Sequence, residues 1–533
     1  MIPGHPTPGD PVTPNSQLLT GAQLADGTGS ALRRADVLIS DGTIAAVEPP
    51  GTLSHRLGRD LPGRDLTGLV LAPGFIDAHS HADNAPLLDE PDTTKIRQGV
   101  TTEVVGNCGF SLAPRSTEHA DTLPAFLERL FPPISYTWTN FHELFARTDA
   151  AGHVTNHCPL VGHGTLRIAA MGMAGRTADD TALAAMRAAL DEGMAAGAFG
   201  LSSGLIYPPA LFAGTAELRS LAEVLGGDGI YATHLRDEGD HLLESIDEAL
   251  RIGQVAGRTH VSHLKAAGVA NWGKIGDALT RIARARHLGT PAAQDVYPYT
   301  ASSTMLTSVL PADFLGAGAE TLIARLGSPA GRAELRAELG GRDDWDDIRI
   351  ATTASHRHEG STLHEIAECT GSEPVDALAD VLVQERLRVA MVHFSMREAD
   401  LELALADDHT MIGSDGLPPG TGGKPHPRLY GTFPRVLGRY TRERGLLHLP
   451  DAVRRMTALP ARTFRIPGRG VIAPGNAADL VAFDPAGVRD VGDYESPARR
   501  PEGVRWVCLA GRTVVEDGNY LGGKHGRRLT PAP

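Results

Sequence analysis

The sequence predicts an α/β protein: a TIM-like (β/α)8 barrel, a small β-sandwich domain built from both chain ends, and a segment inserted late in the barrel. Three observations carry this. The middle of the chain alternates short apolar strands with amphipathic helices, which implies a parallel sheet. Metal-binding residue types sit at or just past the strand ends, as catalytic residues do on a closed barrel rather than an open sheet. Both ends of the chain share another texture, short β-like runs separated by Asp-Gly and Pro-Gly turns.

Taken in order, residues 1–16 are Pro-rich and read as a disordered tail. They lack the basic-then-apolar order of a signal peptide. From Leu18 to about Leu69, runs such as Asp36-Val37-Leu38-Ile39 and Thr43-Ile44-Ala45-Ala46-Val47 read as short strands. The same style returns after Gly470, in Ala478–Phe483 and Val504–Gly511. Residues 17–70 and 470–533 are therefore expected to form the sandwich, and 71–469 the barrel.

Within the barrel, Asp180–Ala196 carries Leu183, Met186, Leu190 and Met194 on one stripe. The strand Ile230–His234 precedes a helix with Leu242, Leu243, Ile246, Leu250 and Val255 near 3.6 spacing, and the strand Thr259–His263 precedes one with Ile275, Leu279 and Ile282. Nine strand candidates compete for eight places, near 71, 101, 157, 199, 230, 259, 292, 389 and 411. Either Ala292–Val296 or Val389–Phe394 is displaced by an insertion, which the polar, helical stretch at about 304–388 resembles.

Composition excludes several classes. The chain has 533 residues, 41% hydrophobic and 21% charged, as a globular protein does. A net charge of −14 argues against a nucleic-acid partner, which wants clustered Lys and Arg. No apolar run approaches the ~18 residues of a membrane span. Four cysteines form no disulfide framework, so a cytoplasmic protein with reduced thiols is expected. Oligomeric state is not legible.

Six residues read together as one metal site: His79, His81, Cys108, His234, His263 and Asp415. Gly74-Phe75-Ile76-Asp77-Ala78-His79-Ser80-His81 ends an apolar run in a His-x-His pair. In an extended strand i and i+2 share a face, so both imidazoles can reach one ion. A lone histidine is usually structural, and Cys108 alone would pass as a small buried hydrophobe. Six residues of ligand type at equivalent strand ends are a different matter.

The residues resemble a known family. Gly-Phe-Ile-Asp-x-His-x-His, Gly106-Asn107-Cys108-Gly109, Thr233-His234-x-Arg236, Ser262-His263-x-Lys265 and Gly413-Ser414-Asp415-Gly416 resemble the amidohydrolase superfamily. Within it the match is to N-acyl-D-amino-acid deacylases (D-aminoacylases), from about Leu18 to Leu521. It extends to Gly204–Tyr207, Asp295–Tyr299 and Pro425–Pro434. Many binuclear members bridge their metals with a carboxylated lysine on the fourth strand. Here no lysine lies between Lys95 and Lys265, and the resemblance implies that the Cys108 thiolate takes the bridging place.

The resemblance further implies zinc, held tightly by Cys108, His234 and His263, with His79, His81 and Asp415 lining a second, weaker position. The reaction it implies is hydrolysis of the amide of an N-acyl-D-amino acid, with Asp415 moving the proton and Tyr207 beside the reacting carbonyl. Lys265, two residues after His263 on the same rim, suggests a partner for the substrate carboxylate. Tyr297, Ser303 and Arg428 match family positions for that task. The chain departs from the family at Ala82, where an acid is frequent, at Leu264, where a second histidine is common, and in the Gly-rich loop Leu417–Lys424. Rivals are a hydantoinase- or dihydroorotase-like enzyme opening cyclic amides, a deaminase of the same superfamily, and a barrel scaffold without chemistry. The missing lysine and present Cys108 count against the first, the cysteine and the different strand-five to strand-eight set a deaminase would want against the second, and the intact ligand set against the third.

Overall fold

The structure is a computed structural model that describes residues 13, 15–57, 62–316, 318–420 and 422–532. The expected tail at 1–16 falls largely outside them, but Ser16 is buried and donates to Ser40 Oγ at 3.0 Å. Eight short strands form the central framework: β1 (Phe75–Asp77), β2 (Val100–Val105), β3 (Asn156–Pro159, resumed at Val161–Gly162), β4 (Leu201–Gly204), β5 (Tyr231–His234), β6 (Thr259–Val261), β7 (Ala292–Val296) and β8 (Thr410–Ile412). Every neighbouring pair is parallel and in chain order. The last strand also meets the first. Ala78 N donates to Ile412 O at 3.2 Å and Asp415 N to His79 O at 2.7 Å, and Ser80 and Gly416 form a parallel bridge.

Parallel neighbours need a crossover, and the helices supply it. Helix Asp180–Ala195 starts at an Asp179 cap that accepts from Ala182 N, and it buries Met186 and Leu190. Helix Leu242–Ala256 buries Leu242, Ile246, Ala249 and Ile252, a stripe slightly rotated from the expected one, so Leu243 and Leu250 lie at its edge. Its Gly253 is required by closeness: a Cβ there would meet Thr259 Oγ1 of β6 at 1.8 Å. Helix Ile275–His287 buries Ile275, Leu279 and Ile282 as expected and ends in Arg284, Arg286 and His287, which suit the negative end of the helix dipole.

The chain ends share sheets. A seven-stranded sheet runs Asn519–Tyr520, Arg512–Glu516, Val504–Leu509, Leu480–Phe483, Val70–Pro73, Gln23–Leu24 and Arg33–Arg34, and a four-stranded one runs Thr43–Glu48, Asp36–Ser40, Gln17–Thr20 and Gly63–Asp65. Leu19, Val37, Ile44, Leu71, Leu480 and Trp506 pack together beside them. The strand candidate near 71 therefore belongs to this sheet, and β1 starts at Phe75. Further on, Gly526 bridges His153 and Leu529 N donates to His157 O, so residues 526–529 lie against β3 instead.

The two runs that competed for one place are also separated. Ala292–Val296 sits between β6 and β8, whereas Val389–His393 is the middle strand of an antiparallel sheet with Ser302–Met305 and Ile348–Thr353. That sheet starts and ends outside the expected 304–388. The insertion also has its own apolar core, with Leu306, Phe314, Leu335, Ile350, Leu378 and Met391. No helix among the described residues is long and apolar enough to cross a membrane.

Candidate metal centre

The strand ends bring the expected ligands together. His79 and His81 follow β1, Cys108 follows β2, His234 ends β5, His263 follows β6 and Asp415 follows β8. Cys108, His263 and Asp415 turn off their strands with left-handed φ of 54°, 36° and 49°. For residues with a Cβ this costs about 1–3 kcal/mol each and persists only where the surroundings hold it. Asn107 Nδ2 holds the Cys108 turn by donating to Val104 O at 2.9 Å, and Gly109 N donates to Ser202 Oγ at 3.1 Å.

Cys108 Sγ lies 3.3 Å from His79 Nε2, 3.4 Å from His263 Nε2 and 3.9 Å from His234 Nδ1. Asp415 Oδ1 lies 3.6 Å from His79 Nε2 and 3.1 Å from His81 Nε2. Donor atoms of buried His79, Cys108, His263 and Asp415 all fall within 4.8 Å of one another. His81 and His234 stand outside this foursome but against it, His81 beside Asp415 and the His79 ring, and His234 beside Cys108 and the His263 ring. Sulfur and nitrogen bound to one tetrahedral zinc lie about 3.5 Å apart, given bond lengths near 2.3 and 2.0 Å. The observed separations fit, as does the mix of thiolate, imidazole and carboxylate. His81 presents Nε2 to Asp415, and its Nδ1 is buried with no hydrogen-bond partner among the described residues.

Electrostatics agree with a thiolate here. Burial pushes the Cys108 thiol up, but His79 and His263 outweigh it and bring the thiol well below its ordinary value. Burial likewise raises Asp415, and Arg428 and His263 more than reverse that.

Two acids that the sequence reading did not single out orient the imidazoles. Glu238 Oε2 lies 3.4 Å from His234 Nε2 and Glu238 Oε1 lies 3.0 Å from His263 Nδ1. Asp295 Oδ2 pairs with His260 Nε2 at 2.6 Å and lies 3.5 Å from His79 Nδ1. A carboxylate on the far nitrogen fixes which nitrogen a histidine presents. The Asp295-Val296-Tyr297 motif was an available signal for Asp295, whereas Glu238 lies in a loop where no local pattern marks it. Behind β1, Asp77 accepts from Ser414 Oγ at 2.5 Å and pairs with buried Lys95 at 3.2 Å, tying the first strand to the last.

The expected substrate residues surround the centre. The Tyr207 ring packs 5.2 Å from that of His234, and its hydroxyl meets Thr304 Oγ1 at 2.8 Å. Tyr297 carries the Arg428 guanidinium 4.6 Å and Lys265 Nζ 5.7 Å from its ring centroid, and its buried hydroxyl has no hydrogen-bond partner among the described residues. Arg428 donates to the Ser303 carbonyl at 2.9 Å and forms an ion pair with Asp415. Lys265 is directed to Glu238 and to His263 Nδ1, 2.8 Å away, so it buttresses a ligand histidine. Ala82 and Leu264 are both buried. Beside Asp415 opens a cavity of about 310 Å³, walled by the segment after β2, by the inserted sheet and by the loop after β8.

Comparison with known proteins agrees with this geometry. Residues 63–515 match the family model described as "Amidohydrolase family". The chain is 40% identical over 518 residues to a D-aminoacylase of Alcaligenes xylosoxydans xylosoxydans, covering 97% of this chain and 98% of that one. It is 38% identical over 523 residues to the N-acyl-D-aspartate deacylase of the same organism, covering 96% and 95%. The crystal structure of N-acyl-D-glutamate deacylase from Bordetella bronchiseptica, complexed with zinc and a phosphonate inhibitor that mimics the tetrahedral intermediate, superposes with a TM-score of 0.82 at 36% identity, over 96% of this chain and 99% of that one. Extent and identity together show that the chain belongs to the amidohydrolase family and, within it, to the N-acyl-D-amino-acid deacylases, hydrolases of linear amide bonds.

Proposed function

We propose that the protein hydrolyses N-acyl-D-amino acids to a carboxylate and a free D-amino acid, with zinc in the centre described above. The observation that carries this is the Cys108 sulfur set among three imidazole nitrogens with Asp415 beside them. The same reading takes the eight parallel strands as one (β/α)8 barrel and the sheets shared by the chain ends as a separate β domain. Cys108, His234 and His263 would hold the tighter zinc, and His79, His81 and Asp415 a second, weaker one.

When bound, zinc supplies Lewis acidity for the acyl carbonyl and lowers the pKa of water towards ~7. The chain's own groups do the rest. The Asp415 carboxylate accepts the proton of the attacking water and returns it to the departing nitrogen. Tyr207 borders the reacting carbonyl. Arg428, Tyr297 and Ser303, with Lys265 behind them, receive the α-carboxylate, a task that the planar fork of Arg suits. Fixing both the carbonyl and the carboxylate leaves the α-carbon one direction for its side chain, which imposes a chiral preference.

The test is a screen of N-acetyl-D- and N-acetyl-L-amino acids, reading release of the free amine. D-substrates should dominate. No turnover of any D-substrate, with opening of hydantoins instead, would overturn the reading.

A further inference from the structure

The cavity beside Asp415 contains a buried cation that the chemistry above does not use. Arg129 lies just past the helix Thr122–Leu127 and lines that cavity. It is 8% exposed, yet its guanidinium makes no ion pair and no hydrogen bond among the described residues. The other buried arginines all have acids: Arg167 has Glu217, Arg428 has Asp415 and Arg455 has Asp451. Arg129 has only the ring of Phe126, 5.5 Å from its Cζ. Burial lowers its pKa to about 10, so it stays charged at neutral pH. An uncompensated buried charge is strongly unfavourable unless something pairs with it.

The rest of the cavity supports an anionic guest. Among the described residues, the other lining charges without an ion pair are Arg388, at the exposed mouth, and Glu128, making two cations to one anion. Phe131, Leu417 and Leu429 give the wall an apolar stretch. Such a lining suits a carboxylate carried on methylenes.

We propose that Arg129 receives a second substrate carboxylate, beyond the α-carboxylate assigned to Arg428. That group belongs either to the side chain of an acidic D-amino acid or to a dicarboxylic acyl group. This inference rests on the deacylase reading and names its substrate class.

The experiment compares kcat/KM for N-acetyl-D-glutamate, N-acetyl-D-glutamine, N-succinyl-D-leucine and N-acetyl-D-leucine in wild type, Arg129→Leu and Arg129→Lys, with metal content and Tm recorded for each. Wild type should favour a dicarboxylic substrate over its neutral counterpart. In Arg129→Leu that advantage should fall about 10- to 100-fold, the size of a hydrogen-bonded charge, while N-acetyl-D-leucine changes by less than about threefold. Arg129→Lys should recover part of it. A loss confined to the glutamate identifies the side chain as the source, and one confined to the succinyl substrate identifies the acyl group. If wild type cleaves N-acetyl-D-leucine and gains nothing from either second carboxylate, this inference fails and the deacylase reading stands. An equal loss on all four substrates in Arg129→Leu also overturns it. If none of the four is cleaved, both fall.

Discussion

Arg428 Nη1 lies 2.8 Å from Asp415 Oδ2, so the cation proposed to grip the substrate carboxylate holds the proposed base when no substrate is present. The two roles are compatible through exchange. An arriving α-carboxylate competes for the guanidinium and frees the Asp415 oxygen for proton transfer. Replacing the substrate carboxylate with a carboxamide should therefore lower kcat/KM by about 10- to 100-fold. Arg428→Ala should erase most of that difference, and Arg428→Lys should be poor because a point charge cannot reproduce the fork. Equal use of acid and amide by wild type would contradict the exchange.

Asp415→Asn should abolish turnover while leaving the more tightly held zinc in place, since an amide cannot accept and return the proton. Acid–base help of this kind is worth about 10²- to 10⁴-fold. Steady-state hydrolysis beside metal analysis checks it. More than about a hundredth of the wild-type rate would place the base elsewhere.

Cys108→Ser should strip most of the metal. A neutral hydroxyl is a far poorer ligand than a thiolate, and Cys108 Sγ is the atom that three imidazoles share. Elemental analysis of the wild type is expected to give between one and two zinc ions per chain. Wild-type zinc content in the variant would remove Cys108 from the ligand set.

Glu238→Gln keeps the shape but removes the charge that faces His234, His263 and Lys265. Partners of ligand histidines are worth about 10- to 100-fold in metal affinity or activity. A chelator competition should register that drop. Unchanged affinity together with unchanged kcat would reduce Glu238 to packing.

Glu217 joins His163 at 2.8 Å and the fully buried Arg167 at 2.6 Å. Burial raises its carboxyl, but these partners prevail and hold it at about 2. A depressed carboxylate contributes stability above its unfolded value, near 4.3, and loses it as pH falls through the folded one. Glu217→Gln, which leaves Arg167 unpaired, should cost about 3–5 kcal/mol at neutral pH. The gap from wild type should narrow between about pH 4.3 and pH 2. Urea unfolding at several pH values measures it, and a gap independent of pH would show that the loss is not electrostatic.

Much of the candidate centre was legible because the residues proposed to hold metal punctuate the sequence at strand ends, where a His, Cys or Asp interrupts an apolar run. The acids behind them were less visible. Glu238 lies in a polar loop where a glutamate is ordinary, and only folding shows that it faces two ligand histidines. Arg129 was hidden for the same reason, because a missing partner is not a sequence property. The competition between Ala292–Val296 and Val389–His393 was undecidable locally, since both are short runs of strand length. Only hydrogen bonding to different neighbours separates them.

The strand Val70–Pro73 takes Leu480–Phe483 as its neighbour across more than four hundred residues of chain. At about 5–20 residues per second, synthesis needs roughly 20 to 80 s to deliver that partner. Throughout that interval one edge of Val70–Pro73 is a bare strand, with only Gln23–Leu24 available on the other side. The eight parallel strands can assemble meanwhile, because β8 ends at Ile412. A nascent chain could thus hold the strands that carry the proposed metal centre beside an unfinished sheet, and that open edge is where chaperones or misassembly would find it first.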